Sequence, residues 1–436
     1  MPSLFRLVLR SLRHKNYRLF FIGQTISLIG TWMTQVAAAW LVYRLTHSVL
    51  MLGVIGFSGQ IATFLLAPAA GVYTDRWNRH RILVATQISA MIVSFALALL
   101  ALSGWVMVWH VVAFSVAQGL INAFDIPARQ AFVVDLIEEK SDLANAIALN
   151  SSMFNGARLL GPPIAGFLIV VAGEGWCFFV DGASYLAVIG TLFAMRDLPR
   201  PAESKKISAL QEFIQGIRYA SGVMPIRFLL LFLAFVSFAG LSYTVLMPAL
   251  AKDLLHGDPH TFGWLLGATG LGAFCGSIYL ASRKSVQGLI RLAVLSSAVF
   301  GVSLMALAIS RILWVSLALL FVNGLGMIVL MAASNTVLQT IVEDDKRGRI
   351  MSLFTMAFMG MAPWGSLATG SLASWIGIQN TLLLNGICCV TGAVVLAGQL
   401  PRLRSFIRPI YVKMGIIPEV ASGIQAAATL TNRLED

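Results

Sequence analysis

Gly71-Val72-Tyr73-Thr74-Asp75-Arg76-Trp77-Asn78-Arg79-His80-Arg81 decides how the rest of the chain folds, because it lies between two apolar segments that are each long enough to cross a bilayer. Asp75 sits where hydrocarbon gives way to water. Arg76, Arg79 and Arg81 follow within six residues, and clustered cations on short loops stay on the cytoplasmic side of a membrane. Read alone, the stretch is a solvated basic turn; read with its flanks, it orients the whole chain.

Composition agrees with the second reading. The 436 residues are 58% hydrophobic and 11% charged, with a mean hydropathy of +0.82. A soluble globular protein does not need this. A polytopic helical membrane protein does, since each crossing takes about 20 apolar residues and the backbone must satisfy its own hydrogen bonds in lipid. The net charge of +12 is assigned to loops held against anionic lipid, not to a nucleic-acid surface, because so few residues are charged. Cys177, Cys275, Cys388 and Cys389 lie in or beside apolar segments without metal-ligand spacing and read as small buried side chains. Arg6, Arg10, Arg13, Lys15 and Arg18 precede an apolar run too long for a signal peptide, so that run is expected to be retained as the first helix, with the N-terminus inside.

Charge clusters and turn residues divide the chain into twelve spans, at 19–43, 50–73, 82–104, 107–133, 146–172, 177–195, 227–250, 261–281, 290–310, 312–340, 350–374 and 378–399. Loops on the cytoplasmic side of this scheme hold 26 of the 31 Lys and Arg. Only Arg44, Lys252 and Arg311 fall on the opposite side, and Arg129 and Arg158 fall within spans. A span more or fewer would scramble the asymmetry. The domains expected are 1–200, a linker at 201–226, 227–400, and a cytoplasmic tail at 401–436, basic near the membrane through Arg402, Arg404, Arg408 and Lys413. In the linker, Ile207, Leu210, Phe213, Ile214 and Ile217 recur at helical spacing. That pattern is either an amphipathic helix on the inner leaflet or one packed against the underside of the bundle.

The two halves repeat. Gly156, Gly161 and Gly166 in span five recur as Gly360, Gly365 and Gly370 in span eleven at an offset of 204, while Gly53 and Arg81 align with Gly263 and Arg291 at 210. At that offset Asp75 falls on Ser285, so the acid of the opening stretch is lost from the second half. Before span eleven stands a dense acid-base turn, Glu343-Asp344-Asp345-Lys346-Arg347-Gly348-Arg349.

The spacing of Gly71, Asp75, Arg76, Arg79 and Arg81 closely resembles the loop between helices 2 and 3 in the major facilitator superfamily of secondary transporters. The resemblance implies an all-α fold of twelve transmembrane helices in two pseudo-symmetric six-helix bundles, with the substrate near mid-membrane between them. It gives Gly71 a close helix contact, Asp75 hydrogen bonds from a neighbouring helix start, and Arg76 and Arg79 an acid on a facing helix, matched here by Asp135; with Arg81 these form a conformational latch. Gly156, Gly161, Pro162, Pro163 and Gly166 are similar to the antiporter motif of the superfamily's exporters, although Gly and Pro are common in membrane helices for packing alone.

Asn16-Tyr17-Arg18-Leu19-Phe20, Asp125-Ile126-Pro127-Ala128-Arg129-Gln130-Ala131-Phe132, the run at 143–150 and Arg158-Leu159-Leu160-Gly161-Pro162 narrow the resemblance to the branch of enterobactin exporters and macrolide efflux proteins. It implies proton-linked export of a bulky amphipathic small molecule such as a siderophore or macrolide from a bacterial inner membrane. A lysophospholipid mover or an importer on the same scaffold, and a non-transporting receptor, are the alternatives. Two departures stand out: Ser115 replaces the arginine that many drug/proton exporters carry a turn before Gln118-Gly119, and Asp181 stands where the branch pattern has an amide.

Within the spans, Asp125 and Arg129 lie four residues apart on one helical face. Charges at that depth usually face the bundle interior. Asp125 is either a proton-carrying acid, tuned by burial against Arg129, or half of a fixed ion pair. Asp181 is a second candidate acid, expected to be simply solvated near the outer face. Arg158 either lines the cavity and attracts an anion or snorkels to a carbonyl. Gln24, Gln35, Asn122, Asn150 and Asn155 add neutral polarity to the same half. No nucleophile, metal or phosphate-cradle constellation stands out, so no enzyme activity and no cofactor are expected, and energy comes from a gradient or there is none. The partners expected are substrate, protons and lipid, with the protein a monomer.

Overall fold

The computed structural model describes residues 9–196, 209–283, 285–343 and 345–414, which are helical nearly throughout. The first half comprises α1 (Lys15–Thr46), α2 (Val49–Arg76), α3 (Arg79–Leu102), α4 (Val108–Asp135), α5 (Leu143–Ala172) and α6 (Glu174–Ala194). A short helix, α7 (Ala209–Gly222), leads to the second half: α8 (Met224–Ala239), α9 (Pro259–Ala281), α10 (Leu289–Ile309), α11 (Leu313–Ile341), α12 (Arg347–Met359) and α13 (Ala362–Lys413). Among the described residues, eleven stretches are long and apolar enough to cross a membrane, the last of 66 residues. At 1.5 Å per residue that last stretch would be about three bilayer thicknesses long. It is interrupted at Gly377, whose φ of 84° turns the chain back, so it supplies two crossings and the total is twelve.

Helix punctuation makes the duplication explicit. Ser48 caps α2 by accepting from the Met51 amide at 3.4 Å, and Asp258, 210 residues later, caps α9 by accepting from Thr261 at 3.0 Å. His47 and His256, both left-handed at φ 50°, end the helical segments before those caps. Gly173 and Gly377, 204 residues apart, share one backbone conformation (φ 91°, ψ 169° and φ 84°, ψ 164°) and end spans five and eleven. Most of the shift between the two offsets arises in one hairpin: α3 has 24 residues and its counterpart α10 has 21, and the turn after α10 is shorter as well.

Two seams join the halves, α5 against α9 and α2 against the first part of α13. Both are closed by glycine. A Cβ on Gly263 would lie 2.6 Å from the Pro162 carbonyl oxygen and 3.2 Å from Gly166 Cα, and one on Gly53 would lie 2.7 Å from the Ser366 carbonyl oxygen and 3.0 Å from Gly370 Cα. Backbones this close gain dispersion contact that lipid tails cannot match. Both seams lie toward the end opposite the cationic loops. There Tyr43 donates a short hydrogen bond to Asp253 across the halves, and Trp40 stacks on Phe262. At the basic end, α12 packs chiefly on α7, α8, α11 and α13 of its own half, and Gly156 on α5 faces open space. The gap between the halves therefore opens toward the basic loops.

Two spans are less regular than the sequence pattern suggests. Span seven leaves α-helical geometry after Ala239, continuing as a 3₁₀ segment (Leu241–Leu246) and later a π turn (Leu250–Leu254). Span eleven, expected as one helix over 350–374, breaks between Met359 and Ala362, where Pro363 removes a backbone donor. Its glycines point three ways: Gly360 to the Phe64 ring, Gly365 to Phe238 and Ser242, and Gly370 to Gly53. Helix α7 packs one face on the bundle and leaves another open. Gly216 and Ala220 pack under the second half beside Arg349 and Leu353, while Ile214 and Ile217 stay exposed.

Candidate functional site

The charged centre of the first half is Asp125, 2% exposed on α4. Its Oδ1 accepts from Thr86 Oγ1 at 2.9 Å and Gln87 Nε2 at 2.8 Å, both on α3, and its Oδ2 takes a short ion-paired hydrogen bond from Arg129. Gln24 on α1, with its amide oxygen turned to the guanidinium, accepts from Arg129 Nε at 3.2 Å and Nη1 at 2.9 Å. Three helices thus share one polar knot. The i, i+4 spacing places both charges on one face, and four neutral or ionic partners offset a desolvation cost of several kcal/mol per ion. The cavity beside it, about 40 Å³ and lined also by Ser27, Thr31, Asn122 and Tyr185, has room for one or two waters.

Asp181, expected to be solvated, is instead 1% exposed. Helix α6 packs between α1 and α3, which turns Asp181 toward Gly30 of α1 and Ser94 of α3. Ser94 donates to its Oδ2 at 3.0 Å, and its Oδ1 makes no hydrogen bond. Among the described residues no cation pairs with it.

A third group lies where the halves meet. The guanidinium of Arg158 stands 5.8 Å from the centroid of the Trp32 ring, which meets Phe154 edge-on at 5.8 Å. Arg158 has no carboxylate partner among the described residues; the ionisable group acting on it is Tyr243, in the 3₁₀ segment of span seven. The Tyr243 hydroxyl is buried without a hydrogen-bond partner. A cation–π contact supplies about 0.5–2 kcal/mol, less than the desolvation cost of a buried ion. On the same stretch of α5, Asn150 and Asn155 are half-buried, Asn155 donating to the Ser151 carbonyl at 2.9 Å, and Gln35 on α1 is exposed.

At the basic end, Arg79 Nη1 reaches both oxygens of Asp135 at 2.8 Å, joining the start of α3 to the end of α4. Asn78 caps α3 by accepting from the Arg81 amide at 3.2 Å, and the Arg81 side chain is exposed. The side chains of Gly71, Asp75 and Arg76 lie outside the described residues, as do Ile207 and the tail beyond 414. Among the remaining motif positions, Gly161 packs on Trp32, Pro163 on Gly267, and Gly166 on Gly263.

One cluster had no clear signal in the sequence. Buried Asp142, in the turn before α5, pairs with Arg10 at 3.3 Å, Arg13 at 2.9 Å and His14 at 3.1 Å, while Ser11 donates to the Asp142 carbonyl oxygen at 2.9 Å. The segment before α1 is thereby clasped to the turn between α4 and α5. Burial works against ionisation of Asp142, but the hydrogen bond from His14 and the charges of Arg13 and Arg10 outweigh it and hold the carboxyl below its usual range.

Twelve crossings in two matched sets of six, with buried charges inside the first, define a multi-pass membrane transporter. The chain belongs to the transmembrane secretion effector family of the major facilitator superfamily, whose model matches residues 8–408. It is 26% identical over 379 residues to the staphyloferrin A transporter of Staphylococcus aureus, covering 85% of this chain and 94% of the relative. Similarity to macrolide efflux protein A of Streptococcus pyogenes is 24% (88% and 96% covered), and to the enterobactin exporter of Escherichia coli 25% (90% and 94%). The structure is similar to that of a bacterial homologue of the human lysosomal transporter Spinster in an inward-facing, unoccupied conformation, with a TM-score of 0.63 at 15% identity over 92% of this chain and 98% of that one. That likeness concerns the fold alone.

Proposed function

We propose that the protein is a proton-coupled exporter of a bulky, amphipathic small molecule of siderophore or drug type, working as a monomer by alternating access. The observation that carries this reading is the Asp125–Arg129 knot, a buried acid whose partners sit on three different helices of one half. A proton arriving on Asp125 would release Arg129 and let α1, α3 and α4 repack, while cargo occupies the larger gap between the halves. Asp181, buried and without a cation, is a second group suited to hold a proton. The names of the relatives favour export over import. The basic end is assigned to the cytoplasm of a bacterial inner membrane, with both termini on that side, by the excess of cations on its loops. Asp75, Arg76, Arg79, Arg81 and Asp135 would then latch the first half at the cytoplasmic face.

The test has two steps. Mass spectrometry of cells lacking the gene identifies the compound that accumulates, and everted membrane vesicles are then assayed for uptake of that compound under an imposed pH gradient. Gradient-dependent uptake by the wild type that is lost in Asp125→Asn, at equal protein levels, is expected. Uptake unchanged in the variant removes Asp125 from coupling, and accumulation of lysophospholipid would identify a lipid mover instead.

A further inference from the structure

Membrane-buried charges are rare enough that each asks for a partner. Asp125 and Arg129 have each other, and Asp181 can be neutral by holding a proton. Arg158 has neither recourse, because a guanidinium stays charged in proteins and no carboxylate reaches it among the described residues. Its surroundings are those of a recognition site. Trp32 and Phe154 provide an aromatic wall. Beside them Gly156 faces open space.

We propose that Arg158, with Trp32, is the cargo-charge reader of this transporter, and that the cargo is an anion, carrying a carboxylate next to a planar apolar group. The inference rests on the transport reading above but names the charge class, which that reading leaves open. Guanidinium takes a carboxylate through two parallel hydrogen bonds. The ring of Trp32 accepts the apolar part beside that charge. A cationic amphiphile would meet Arg158 as a like charge and is disfavoured.

The test uses the full-length protein in lipid nanodiscs and a matched set of probes: dansylglycine (anionic), dansylglycinamide (neutral) and dansylethylenediamine (cationic). Binding is read by energy transfer from protein tryptophan to dansyl. The wild type is expected to prefer the anion over the amide by roughly tenfold, as charge-assisted pairing supplies, and to bind the cation most weakly. Arg158→Gln should erase the preference, bringing the affinity for the anion down to that for the amide, and Arg158→Lys should keep part of it. If Arg158 only staples α5 to Trp32, its loss would lower thermal stability and leave the charge preference intact. Equal affinity for anion and amide in the wild type, no saturable transfer with either, or a preference that survives Arg158→Gln overturns the proposal. None of these outcomes depends on export or proton coupling, so failure here and failure in the vesicle assay are distinguishable.

Discussion

At the scale of single residues, the informative feature is how each buried charge is neutralised. Asp125→Ala would leave Arg129 facing Gln24 alone, and breaking a buried pair costs about 3–5 kcal/mol. Asp125→Asn keeps a polar partner for Thr86 and Gln87. Melting of the purified variants should therefore place both below wild type and Ala below Asn; equal melting temperatures would mean that the knot contributes little to the fold. Asp142 adds a pH dependence of definite sign. Its carboxyl is held below the usual 3.8 in the folded state, so its clasp contributes fully above that value and is lost as pH falls through the depressed one. The stability gap between wild type and Asp142→Asn should be present at neutral pH and close in acid below the usual carboxylate value, which a melting series across pH would show. Asp125 and Arg129 were legible in the sequence because charges within apolar spans are conspicuous. The burial of Asp181 was not, because sequence position gives depth in the membrane but not which face of α6 meets α1 and α3. Tyr243 was missed for a related reason: one tyrosine in an apolar run carries no mark of an unsatisfied hydroxyl.

At the scale of helices, the glycine seams and the Tyr43–Asp253 contact hold one end shut. Gly263→Val places branched carbon where the Pro162 carbonyl and Gly166 already stand, so the backbones must part. Spin labels at exposed Trp105 and Ile312, one on each half at that end, should report a longer distance in Gly263→Val and a smaller increase in Tyr43→Phe. An unchanged distance distribution in both would show that other contacts close this end. Helix existence was plain from hydropathy, and the glycine repeats at 204 and 210 pointed to the residues that meet at the seams. The breaks in spans seven and eleven were not visible, because an apolar run looks the same whether its backbone is α, 3₁₀ or π. Pro363 was a cue for the second break. Its reading depends on whether a neighbouring helix can satisfy the freed carbonyl, which local sequence does not contain.

At the scale of the whole molecule, the asymmetry of Lys and Arg led to twelve crossings, and the left-handed glycine at 377 recovers that number from eleven apolar stretches. The geometry of the gap could not be read in advance, because alternating states share one set of spans and differ only in which end of the seams is in contact. The seams also carry a historical implication. Gly53 corresponds to Gly263 and Gly166 to Gly370, yet the pairs in contact are Gly53 with Gly370 and Gly166 with Gly263. Each half thus offers its partner the same two surfaces, as two copies of one ancestral polypeptide related by a twofold rotation would. Residues 1–208 and 209–436 made as separate chains in one cell should therefore find each other and co-purify, and substituting valine at both Gly53 and Gly263 should prevent the reunion.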